Sequence, residues 1–94
     1  MTYDSKSEAA YAETLDALVK AKKIRSWQRQ IPVQLTAHGQ KICRIIPDFL
    51  VTTLDGRVEY HECKSKATAT PIWRIKVKLF KAQFPDATYT VIWR

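Results

Sequence analysis

Two runs of strand-forming residues, Ile42–Thr52 and Arg57–Lys64, flank the short stretch Leu54-Asp55-Gly56. A three-residue hairpin loop puts one residue in the left-handed region, where glycine carries no steric penalty. Gly56 at that position makes Thr53 face Arg57, and counting back along both strands sets Asp48 opposite Glu62. Directly opposed Cβ atoms lie about 5 Å apart, and like charges there repel. Glu62 shares its face with Val58 and Tyr60, and Asp48 with Ile46 and Leu50. Two carboxylates on an apolar sheet face need a cation, and two sources are open. Lys64 sits two residues from Glu62 on the same face, about 7 Å along the strand, so its ammonium partly neutralises the pair. A hard divalent ion is the other source, because Mg²⁺ takes few carboxylates together with water and phosphate oxygens. A two-residue turn at Asp55-Gly56 would instead send the acids to opposite faces.

The flanking elements follow from periodicity. Ser5 and Glu8 form a Ser-Xaa-Xaa-Glu capping box at the start of a helix. Tyr11, Ala12, Leu15, Leu18 and Val19 continue it as an apolar stripe, which fades through Lys20, Lys22, Lys23 and Arg25. Extended backwards, the stripe passes through position 8. Glu8 therefore has two readings, a capping residue and a carboxylate aimed at the sheet. Trp27–Leu35 alternates as a strand, with Gln28, Gln30 and Gln34 on its polar face and Pro32 marking an edge. His38-Gly39 is a turn, and Ile42–Thr52, apolar on both faces, reads as a central strand.

Thr70-Pro71 opens a second helix as N-cap and first-turn proline. Ile72, Ile75, Leu79 and Ala82 lie along one line of it, with Trp73, Val77, Phe80 and Phe84 beside them. Arg74, Lys78 and Lys81 share the opposite face. Lys76 falls between the apolar lines and either lays its stem across the core edge or reaches the carboxylates. Pro85-Asp86 ends the helix, and Thr88–Trp93 forms a last strand. The order is helix, three strands, helix, strand, which makes an α/β core with a meander packed against two helices.

The 94 residues suffice for one domain, 1–94, and hold two glycines and two cysteines. Sixteen Lys and Arg against nine Asp and Glu give a net charge of +7, an excess that suits a polyanion such as nucleic acid. No apolar run approaches the roughly 20 residues of a membrane helix. The start Met-Thr-Tyr-Asp lacks the basic-then-apolar pattern of a signal peptide, so a cytoplasmic location is expected. Cys43 and Cys63, placed on adjacent strands four registers apart, lie roughly 13 Å from each other, too far for a disulfide. His61 points away from Glu62 and reads as packing or surface.

The run of residues Glu8, Pro47-Asp48 and Glu62-Cys63-Lys64, in this element order, resembles the PD-(D/E)XK nuclease superfamily. Within it, the chain is similar to a group of small, phage-borne proteins of unassigned function. That likeness runs from Asp4-Ser5-Lys6-Ser7-Glu8-Ala9 through Gln30-Ile31-Pro32, Pro47-Asp48-Phe49 and Glu62-Cys63-Lys64 to Lys78-Leu79-Phe80 and Phe84-Pro85. It implies a minimal restriction-endonuclease-like fold, with a mixed four-stranded sheet flanked by helices. It also implies that Asp48, Glu62 and the backbone carbonyl of Cys63 bind Mg²⁺, with Mn²⁺ able to substitute. Glu8 would hold a second ion or its water, and Lys64 would orient or deprotonate the attacking water. Gln30 occupies a place where related nucleases carry an active-site Gln or Glu.

The expectation is a metal-dependent DNA endonuclease. A chain this small has no separate sequence-reading domain, so it selects DNA structure (junctions, flaps or ends), with Arg74, Lys76, Lys78 and Lys81 as DNA contacts. Cutting two strands of a junction would call for a homodimer. Two rivals stand beside it: an inactive nucleic-acid-binding module, and a nuclease subunit targeted by a phage or host protein.

Overall fold

The computed structural model describes residues 6–94; Ser5, and so the capping-box partner of Glu8, lies outside the described residues. The elements are α1 (Lys6–Lys20), β1 (Ile24–Arg29), β2 (Val33–Ala37), β3 (Gln40–Ile45), β4 (Phe49–Thr53), β5 (Val58–Lys64), α2 (Pro71–Gln83) and β6 (Thr88–Trp93).

The hairpin turn sets the register as its glycine demands. Gly56 has φ +89° and its amide donates to the Thr53 carbonyl. Phe49 pairs with His61, Leu50 with Tyr60, Val51 with Glu59 and Thr52 with Val58. The main sheet has the order β1-β4-β5-β6; β4 runs antiparallel to both its neighbours, and β6 runs parallel to β5. It is thus a mixed four-stranded sheet flanked by helices, and along it the order helix, three strands, helix, strand holds.

Two of the expected strands are broken, and the breaks add a separate hairpin. Trp27–Leu35 divides into β1 and β2 around Gln30-Ile31-Pro32, and Ile42–Thr52 divides into β3 and β4 around Ile46-Pro47-Asp48. Both breaks carry a proline, which has no N–H to give to a ladder. Gln30 adds a left-handed turn, with φ 50°. The excised halves, β2 and β3, pair with each other through the two-residue turn His38-Gly39, both with positive φ, as tight hairpins require. The break also re-aims side chains that unbroken alternation would put on one face. Trp27 packs beneath α1, whereas Leu35 packs with α2.

Each face of the sheet therefore has its own core. Ala12 and Leu15 of α1 close over Phe49, Val51 and Cys63 on one face. On the other, Trp73, Val77 and Phe80 of α2 pack with Tyr89, with Leu35 and Ile45 of the hairpin completing that core. The buried line of α2 is thus Trp73-Val77-Phe80. Ile72 and Ile75, expected to share the burial, are 68% and 65% exposed because the hairpin does not extend over them. Cys43 lies on β3, in the hairpin and not on a neighbour of β5, and both cysteines are free.

The two lines of α2 should separate cleanly in denaturant unfolding. Phe80→Ala, at a site 1% exposed, should cost about 3–5 kcal/mol. Ile75→Ser should stay within about 0.5 kcal/mol of the parent. Comparable losses would contradict this assignment of the core.

Candidate active site

The hydrogen-bond alternation of the β4–β5 hairpin decides how its open end is built. Thr53 and Arg57 form a hydrogen-bonded pair through the Thr53 amide, 2.8 Å from the Arg57 carbonyl. Such pairs alternate along an antiparallel ladder, so the next in phase are 51/59, 49/61 and 47/63. Position 47 is proline and has no N–H to give the Cys63 carbonyl, so the pair is incomplete. The Cys63 amide donates to a carboxylate oxygen of Asp48, at 2.8 Å. From the other side, the Gln30 amide donates to the Asp48 carbonyl, at 3.0 Å. Asp48 is therefore held at backbone and side chain by two strands, at a point where Pro47 is fully buried.

Around it lies an open cavity of about 240 Å³ lined by Glu8, Asp48, Glu62, Cys63, Lys64, Thr68 and Arg94. Five of these seven are residues the sequence singles out. Glu8 is 5% exposed and Glu62 6% exposed, the two buried charged residues of the protein among those described. Glu8 reaches the cavity from the first turns of α1, so its stripe position, and not only a capping role, governs where it points.

Glu62 is anchored from the α2 side. One carboxylate oxygen accepts the Trp73 indole N–H at 2.8 Å and the Tyr89 hydroxyl. The other faces the Lys64 ammonium at 3.7 Å. Lys64 in turn lies 5.0 Å from the centre of the Trp73 ring, within cation–π range. Burial, and then the Glu62 carboxylate that its hydroxyl meets, raise the Tyr89 pKa.

Burial is also the largest influence on Asp48, pushing its pKa up to about 7. The Cys63 amide opposes that rise, while a hydrogen bond and like charge from Glu8 add to it and Lys64 draws it back. Two acids are thus held together where one proton or one cation eases their repulsion. Burial, joined by the negative field of Asp48 and Glu8, pushes the Cys63 thiol up to about 11. That side chain packs in the α1 core and stays a neutral thiol at pH 7.

The remaining expected site residues divide. Gln30 does not line the cavity; ending β1 in a left-handed conformation, it contributes its backbone amide to Asp48. Lys76 is half-buried and lines the adjoining cavity with Arg44, Glu62 and Trp73. Arg74, Lys78 and Lys81 are exposed and line one groove with Trp73 and Trp93. His61 accepts or donates between Tyr11, at 2.6 Å, and Glu59, at 3.0 Å, on the α1 side. It is packing, as one of its two expected roles had it.

Four residues at the site carry no functional signal in the sequence. Periodicity places Trp73 beside the apolar line of the second helix and Tyr89 only within the last strand; laying β6 parallel to β5 puts Tyr89 level with Tyr60 and in reach of Glu62. Thr68 follows β5 in a turn tied by Ser65–Thr68 hydrogen bonds. Arg94 comes in because its amide extends the β5–β6 pairing onto the Lys64 carbonyl, at 3.0 Å. Neither of these last two carries a sequence signal.

The carboxylate oxygens of the cavity have the chemistry that suits a hard divalent ion. Among the described residues no three His, Cys, Asp or Glu side chains converge as a ready-made cation site. Mg²⁺ asks for less, since it commonly takes one or two carboxylates and completes its shell with water.

The raised Asp48 pKa fixes a sign for stability in metal-free solution. Between its ordinary value of 3.8 and its folded value near 7, the folded state holds a proton that the unfolded state has lost. Stability should therefore fall as pH rises from about 4 to about 7 and level off above. Urea unfolding in EDTA at pH 5 and pH 8 should show this decline in the parent and a smaller one in Asp48→Asn. Equal slopes in the two would contradict it.

No curated protein and no solved structure matches the chain. A family model spans it from residue 1 to residue 94, and the chain belongs to that family, described as "Protein of unknown function (DUF1064)".

Proposed function

We propose that the protein is a metal-dependent endonuclease that hydrolyses phosphodiester bonds in DNA, selecting branched or broken structure over sequence. The observation that carries this reading is one cavity shared by Glu8, Asp48, Glu62 and Lys64, with a carbonyl-bearing strand residue, Cys63, between the last two. Asp48, Glu62 and the Cys63 carbonyl are the donors that would hold Mg²⁺ or Mn²⁺, and Glu8 would hold a second ion or a water. When bound, the ion neutralises phosphate charge and lowers the pKa of water.

The protein's own groups do the rest. Trp73 and Tyr89 occupy one oxygen of Glu62, which fixes the direction of the other. Pinning by Gln30 and Cys63 does the same for Asp48. Lys64 brings a fixed positive charge to the cavity, suited to orienting the attacking water and to stabilising charge that develops on a phosphate. Arg94, at the same wall, adds a second cation for a phosphate oxygen. The neutral, buried Cys63 thiol leaves no role for covalent thiol catalysis.

The net charge of +7 supports a polyanionic substrate. Among the described residues no helix is long and apolar enough to cross a membrane. Double-strand cutting of a junction would require a homodimer, and a phage or host protein remains the partner that would supply targeting.

One observation favours a second reading, an inactive nucleic-acid-binding module. Glu62 and Asp48 already have protein partners for their charge, so the fold closes its network without an ion.

Cleavage of a labelled panel (blunt duplex, single strand, flap and four-way junction) in Mg²⁺ decides between them. The nuclease reading expects cleavage of branched substrates, reduced roughly 100-fold or more in Asp48→Asn and in Lys64→Ala. It also expects Mn²⁺ to raise the unfolding temperature of the parent but not of Asp48→Asn. Tight DNA binding with no cleavage and no metal response would leave the binding module.

A further inference from the structure

Helix α2 has no carboxylate in its thirteen residues, Pro71–Gln83, yet carries Arg74, Lys76, Lys78 and Lys81. None of the four forms an ion pair with an acid among the described residues. Three of them, Arg74, Lys78 and Lys81, border a groove of about 350 Å³ whose far wall is Val91 and Trp93 of β6. This strand is an edge of the main sheet; on it Val91 is half-buried and Trp93 is exposed.

Trp93 is unusual there. An indole is costly to leave in water, and this one is 52% exposed. Its ring meets Trp73 edge to face, at 6.1 Å between centres and 90° between planes. The Arg74 guanidinium stands 6.0 Å from its centre. The indole is thus braced at a fixed angle beside a planar cation. Trp73, its brace, is the same residue that donates to Glu62. Through that single side chain the groove abuts the candidate catalytic cavity.

An exposed flat ring beside a row of unpaired cations has a specific complement. Bases offer a face that stacks on an aromatic ring or a guanidinium, and only an unpaired strand can turn them outward. The phosphates that link them suit a line of Lys and Arg. A blunt duplex buries its base faces and offers Trp93 only sugar and phosphate.

We propose that Trp93 is a stacking platform for an unpaired base, with Arg74, Lys78 and Lys81 tracking the adjoining phosphates, so that this groove receives the single-stranded segment of a nucleic acid. The inference rests on the nuclease reading for treating that segment as part of a substrate. It names the feature selected: a single-stranded stretch next to the phosphate to be cut.

Binding without metal separates the two ideas. Fluorescence anisotropy in EDTA would compare the parent, Trp93→Ala and Trp93→Phe on a dye-labelled single strand, a duplex with a single-stranded overhang, and a blunt duplex. The single strand is run as deoxy- and as ribo-oligonucleotide, and Trp93-dependent binding of either supports the platform and identifies the polymer. Trp93→Ala should weaken single-strand and overhang binding roughly tenfold and leave blunt duplex within about twofold. Trp93→Phe, which keeps a flat ring and serves if the alanine variant is poorly folded, should recover most of the loss. Lys78→Ala should weaken all three ligands alike and lower the salt slope by about 1. Equal losses on every ligand in Trp93→Ala, or no loss on any, would overturn the platform whether or not the protein cleaves. A Trp93-dependent preference in a protein that never cleaves in Mg²⁺ would sink the nuclease reading and keep the platform.

Discussion

A proline at the end of a β-ladder is the constraint on which the rest of the structure depends. Pro47 has no N–H to give the Cys63 carbonyl, so the regular β4–β5 ladder ends there, and the Cys63 amide donates to the Asp48 carboxylate. The Asp48 carbonyl accepts from the amide of Gln30, whose backbone is left-handed. Two broken strands therefore converge on one acid. The same two breaks release β2 and β3 to form the hairpin that completes the core under α2. Core and cavity thus share the same two breaks.

The cavity in turn shows opposing demands. Burying a carboxylate costs several kcal/mol unless hydrogen bonds or charge compensate it. Glu62 meets that cost with an indole, a phenol and an ammonium. Asp48 meets it with a backbone amide and then carries the repulsion of Glu8, which its raised pKa records. A small basic protein with only nine acids has no stability reason to gather three of them at one wall. This repulsion, held where an amide in place of one acid would relieve it, is one physical ground on which the site is proposed as functional.

What the sequence discloses depends on the range of the interaction. The turn at Gly56 acts over a few residues, so the register of β4 on β5, and with it the neighbourhood of Asp48 and Glu62, can be counted. The apolar period of α1 likewise aims Glu8. The breaks at Gln30 and Pro47 are not legible in the pattern, because alternation continues across the first and an unbroken apolar run across the second, and only the choice of core differs. Ile72 and Ile75 look like core for a similar reason: periodicity places them beside the buried line, but how far the hairpin reaches is a tertiary matter. Trp73, Tyr89, Thr68 and Arg94 depend on how β6 docks against β5 and how α2 crosses the sheet. Gln30 falls in the expected neighbourhood, where its backbone amide donates to the Asp48 carbonyl.

The central claim is that these acids form a divalent-cation site. Anomalous diffraction from crystals soaked in Mn²⁺ tests it most directly. The account predicts a strong peak at the Asp48 end of the β4–β5 hairpin, in contact with a carboxylate oxygen of Asp48, one of Glu62 and the Cys63 carbonyl. Well-ordered crystals with no peak in that cavity at millimolar Mn²⁺, or with peaks only at surface acids such as Asp55 or Asp86, would contradict it.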